Sequence, residues 1–206
     1  MDFVLHFHRL MNLKTLLSTK MIIGNPEEDL EYKIHQGEPE KQFLTETIIR
    51  FIHSIGIKTV YGTTDHETFL PGILIHEGSL IIDRKKLLYP GDLLHEAGHI
   101  AVMKKEDRMH MTGNVGLNKN QSEAGGEELM AIAWSYAAVV HLRLNPEVVF
   151  HANGYMGASQ WYIDQYTSGT YIALPALQWI GLCYDEKQAA LHNAKPYPYM
   201  NKWLRD

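Results

Sequence analysis

The chain has 206 residues, enough for one domain with a sizeable core and an extension. Its 45% hydrophobic and 21% charged residues are those of an ordinary globular protein, and a net charge of −5 gives no electrostatic reason to expect nucleic acid or an anionic membrane as partner. The single cysteine, Cys183, excludes an intrachain disulfide and a cysteine-rich metal site, and reads as a small buried apolar residue.

At the N-terminus, Phe3-Val4-Leu5-His6-Phe7 is apolar, but His8, Arg9, Lys14 and Lys20 interrupt it and no small-residue cleavage site follows. No signal peptide is expected, no run reaches the roughly 18 apolar residues of a membrane span, and the expected compartment is the cytoplasm. Asn25 to Lys41 is polar and rich in Glu, Pro and Gly, so residues 1–41 read as an arm or linker. Phe43, Leu44, Ile48, Phe51, Ile52 and Ile55 recur at helical spacing, with Gly56 placed to end the helix. Three strand-like runs follow, Ile57 to Tyr61, Gly72 to His76 and Ser79 to Asp83, the last two flanking a turn at Glu77-Gly78.

The next segment carries the chemistry. His95-Glu96-Ala97-Gly98-His99 sits in a helix expected over Gly91 to Lys104, with Pro90 and Asp92 suited to its start. Two histidines four apart share one face of a helix, so both imidazoles reach one metal ion while Glu96 leans toward a bound water. With 12 His among 206 residues, random order gives this pattern in about one chain in twenty, so the flanks decide. Leu93-Leu94 before it and Ile100-Ala101-Val102-Met103 after it make the helix mostly buried. Three polar side chains in such a helix need a partner, because burying them unsatisfied costs several kcal/mol. Gly98, which weakens a helix by about 1 kcal/mol relative to Ala, reads as a point of close approach for a strand.

A catalytic zinc site has three protein ligands and keeps a fourth position for water. Val102 and Lys105 stand where a metzincin would have Gly and a third His, which excludes that class. The remaining source is a glutamate from the next helix, expected over Gly126 to Leu144 after an irregular loop from Glu106 to Gly126. Glu127 and Glu128 open that helix, Glu123 lies in the expected loop, and His110 is a replacement candidate in the same loop. Beyond Asn145-Pro146, short helices are expected over Trp161 to Tyr166 and Ala173 to Gly181. The aromatic residues Trp161, Tyr162, Tyr166, Tyr171, Trp179 and Tyr184 suit core packing or the wall of a groove.

With its HExxH motif and Glu128-Leu129-Met130-Ala131 running to Trp134, the chain resembles the small gluzincins, whose third zinc ligand is a glutamate on a second helix. The resemblance implies an α+β, zincin-like fold: a short twisted sheet, the motif helix and a second ligand-bearing helix in residues 42–144. Residues 145–206 would form a helical extension packed on that core. It makes His95, His99 and Glu128 the ligands of a zinc ion, Glu128 fitting the pattern better than Glu127.

The chemistry of these residues makes Glu96 the general base for water attack on a peptide carbonyl. His151 and Tyr155, in a glycine-containing stretch after the second helix, are candidate donors to the developing oxyanion. Ser79 to Ile82 reads equally as an exposed sheet edge along which an extended peptide adds or as an apolar run packed in the core. The function expected is a zinc metallopeptidase acting on a peptide or protein. The alternative is a non-catalytic, zinc-bearing binding module, which would have no use for Glu96. The oligomeric state is not legible.

Overall fold

The computed structural model describes residues 38–64, 68–113 and 121–206; the arm up to residue 37 and residues 114–120 of the expected loop lie outside the described residues. The architecture is α+β. Helix α1 (Glu38–Ser54) leads into a three-stranded sheet, β1 (Thr59–Tyr61), β2 (Ile73–His76) and β3 (Ser79–Ile82), followed by helices α2 (Asp92–Val102) and α3 (Gln121–Leu142). Three short helices, α4 (Ser159–Thr167), α5 (Leu174–Trp179) and α6 (Glu186–Leu191), complete the fold.

Helix α1 begins three residues before the expected end of the arm, and its Ile48, Phe51 and Ile52 are buried as their spacing requires. The β2–β3 hairpin turns at Glu77 and Gly78 with φ of 48° and 66°, the left-handed pair that matches the twist of the flanking strands. The sheet order is β1-β3-β2, with β3 parallel to β1 and antiparallel to β2. This overturns the reading of Ser79 to Ile82 as an exposed edge. Leu80 and Ile82 are buried, so the apolar run reflects a central strand with neighbours on both sides. The outer edge of β2 is in turn engaged by the segment after α2, where the Gly113 amide donates to the Ile75 carbonyl at 2.8 Å.

One further boundary and one added helix differ from the sequence reading. Helix α3 begins at Gln121, so Gly125 and Gly126 lie inside it instead of closing a loop. The largely buried stretch Ala131 to Val139 gains enough from packing to outweigh the roughly 1 kcal/mol each glycine costs. Helix α6 is an addition; Asp185 caps it by accepting from the Gln188 amide at 2.7 Å. That spacing, an acceptor followed three residues later by Gln, is a helix-start signal readable in the sequence.

The C-terminal segment shares one core with the rest. Trp203 packs edge-on to Phe51 of α1 and Trp134 of α3, at ring-centroid distances of 4.8 and 5.3 Å, and its carbonyl accepts from Trp134 Nε1. Tyr162 and Tyr166 are buried, whereas Trp161 and Trp179 face solvent. The Arg205 amide donates to the Ala101 carbonyl and Arg108 donates to the Ile100 carbonyl, so the orphan carbonyls ending α2 find partners.

The tightest contact joins α2 to α3 at Gly98. A Cβ there would lie 2.8 Å from the Ala131 carbonyl oxygen and 3.1 Å from its Cα, so a helix, not the expected strand, makes the close approach. Alanine gains about 1 kcal/mol of helix propensity but overpacks against backbone, which costs about 1–3 kcal/mol. Gly98→Ala should therefore lower the thermal midpoint. Gly126→Ala, with nothing within 4 Å of its Cβ, should raise it by the equivalent of about 1 kcal/mol. Equal effects of the two substitutions in thermal unfolding would contradict the contact.

Candidate metal centre

On α2, His95 and His99 stand one turn apart with their rings at 89° and their Nε2 atoms 3.2 Å from each other. Glu128 meets them from the facing side of α3: Oε1 lies 3.5 Å from His95 Nε2 and Oε2 lies 3.2 Å from His99 Nε2. The three side chains are 8–12% exposed. Tetrahedral zinc with bonds of about 2.0–2.2 Å separates its donors by about 3.3–3.6 Å. The nearest spacings between side chains are of that size, each Glu128 oxygen facing a different histidine; one donor atom from each residue lies within 4.8 Å of the others, and the donor set is one that zinc accepts.

Of the carboxylates that sequence left open, the structure brings Glu128 to the histidines. The charge of Glu127 acts on His99 from further off, and the side chain of Glu123 lies outside those described. His110, on an exposed turn after α2, is not in the group.

Burial and charge act differently on each residue. Burial lowers His95 below its ordinary value against the pull of Glu128. Burial acts the same way on His99, but its hydrogen bond and charge interaction with Glu128 outweigh it, and the net shift is upward. Glu96 is half-buried between the two histidines; burial pushes its carboxyl up to about 7, with His99 lowering it and the charges of Glu128 and Asp92 adding to the rise. An acid near neutrality beside a metal-type donor cluster is the setting in which a carboxylate exchanges protons at physiological pH.

His151 and Tyr155 both reach α2. His151 Nε2 lies 3.0 Å from Asp92 Oδ1, and its ring stacks on Tyr89 at 3.7 Å. The Tyr155 hydroxyl lies 3.5 Å from His95 Nδ1, the ring nitrogen turned away from His99 and Glu128. Their polar tips are thus engaged by side chains of the motif helix. Asp92 was read from sequence only as a favourable charge in the first helical turn. Its position three residues before His95, within a buried helix, is a signal that it has a partner, but a partner 59 residues away is not readable from spacing.

Comparison with known protein families, with curated proteins and with solved structures finds no match to this chain. Among the described residues, no helix is long and apolar enough to cross a membrane.

The Glu96 shift fixes the sign of a pH effect in metal-free protein. Folded Glu96 keeps its proton up to about 7, whereas the unfolded chain releases it near the ordinary 4.5. Between those values the folded state holds more protons, so Glu96 contributes stability that is full below 4.5 and is lost as pH rises through 7. Glu96→Gln removes that loss. Its thermal midpoint, relative to wild type and with chelator present, should climb across that interval; a difference independent of pH would contradict the assignment.

Proposed function

We propose that the protein is a zinc-dependent peptidase of the small gluzincin kind, with a zincin-like core made of the sheet, α2 and α3. The observation that carries this reading is the triangle of His95, His99 and Glu128, whose donor atoms lie within 4.8 Å of one another in a largely buried place, with Glu96 in the same helical turn. A structural site would have no need of that fourth residue.

Zinc held there would polarise a carbonyl and make water acidic enough to attack it near neutral pH. The chain's own residues supply the rest. His95 and His99 present neutral imidazole nitrogens, which the burial of His95 favours by lowering its proton affinity. Glu128 adds one negative charge to the site, and the straddling of its two oxygens between the histidines fixes all three donors relative to each other. Glu96, next to the first ligand on α2, would take a proton from the attacking water and return it to the departing amine nitrogen. A peptide or protein in the cytoplasm is the substrate class we assign.

The test separates metal binding from turnover. Glu96→Gln should keep one zinc per chain by elemental analysis while lowering kcat/KM on a peptide library by at least about a hundredfold. His95→Ala and Glu128→Gln should lose the metal. Zinc-loaded wild type that cleaves nothing, or Glu96→Gln that cleaves as well as wild type, would overturn the proposal.

A further inference from the structure

Tyr155 combines three observations that core packing alone does not account for. Its backbone has φ of 51°, and the next residue, Met156, has φ of 54°. Left-handed backbone at a bulky aromatic residue is a costly outlier, about 1–2 kcal/mol, that persists only where surrounding structure enforces it. The ring is held by Phe150 and Tyr162, at centroid distances of 5.1 and 5.4 Å, and the residue is 7% exposed. The one polar atom that this turn carries inward ends 3.5 Å from His95 Nδ1.

The turn itself is fastened to the motif helix. Ser159 Oγ donates to the His151 carbonyl at 2.7 Å, with the Gly154 carbonyl also within 3.2 Å, closing the loop that bears Tyr155. His151 in turn binds Asp92 in the first turn of α2. Both ends of the segment are therefore referenced to the helix that carries His95.

We propose that Tyr155 is a positioning residue: when His95 binds the metal through Nε2, its Nδ1 carries the proton, and the Tyr155 hydroxyl accepts that hydrogen bond and thereby holds the ring at the angle that presents Nε2. The inference rests on the zinc-site reading. An imidazole has two nitrogens, and the one that does not ligate carries the proton; a hydroxyl oxygen beside it can accept from that N–H and steady the ring. Outer partners of ligating histidines typically contribute 10- to 100-fold in metal affinity.

Tyr155→Phe keeps the ring between Phe150 and Tyr162 and deletes the oxygen. Zinc affinity, measured by competition with a chromophoric chelator, should fall about 10- to 100-fold while the metal-free thermal midpoint changes little. Imidazole nitrogen NMR of zinc-loaded wild type supplies a readout that needs no variant. His95 should bind through Nε2 and show a slowly exchanging Nδ1 proton, which in Tyr155→Phe exchanges faster and shifts. Unchanged affinity and an unchanged Nδ1 proton in the variant would overturn the positioning role while leaving the zinc site intact. Binding of His95 through Nδ1 in wild type would overturn it too. Wild type that takes up no zinc would overturn the metal reading and this role with it.

Discussion

The close approach of α2 and α3 at Gly98 and Ala131 is the constraint on which the site depends. Gly98 lies between Ala97 and His99 on the motif helix, and Ala131 lies three residues, just under one turn, after Glu128. Where the two backbones touch, with no room for a Cβ at Gly98, a carboxylate one turn away on α3 reaches two imidazoles on α2 at 3.2–3.5 Å. A side chain at Gly98 would widen the crossing and pull the third donor off the triangle. The cost of glycine in a helix, about 1 kcal/mol, is small against that geometric requirement.

That crossing creates an electrostatic problem as well as a site. Four ionisable groups, His95, Glu96, His99 and Glu128, are brought together in a largely buried place. The tensions show in opposed shifts: His95 is driven toward neutrality, Glu96 is driven up to about 7, and His99 is drawn toward protonation by Glu128. A divalent cation bound between the three donors would relieve the repulsion among the carboxylates and stabilise both histidines as neutral ligands. Local burial makes these groups uncomfortable as a purely structural cluster and useful as a metal site with an adjacent base.

Most of this frame was legible in the sequence where local rules apply. The period of apolar residues marked α1, α2 and most of α3, alternation and the Glu77-Gly78 turn marked the hairpin, and the spacing of His95 and His99 marked two of the three residues that cluster at the candidate site. Most of what was not legible depends on contacts distant along the chain. The central position of β3 follows from β1 pairing on one side and β2 on the other, which its apolar run alone does not reveal. The helical state of Gly125 and Gly126 follows from packing beyond them, the partner of Gly98 from a crossing 33 residues later, and the pairing of Asp92 with His151 from a segment 59 residues away. Helix α6 was missed although its cap, Asp185 with Gln188, is local and could have been read.

The measurement that bears most directly on the account is zinc-edge X-ray absorption of the metal-loaded protein. The geometry predicts a four-coordinate centre with two imidazole nitrogens and oxygen donors, at first-shell distances of about 2.0–2.2 Å and without sulfur. A site with one imidazole or none, a sulfur donor, or six oxygen-type ligands would contradict the convergence of His95, His99 and Glu128 on one ion.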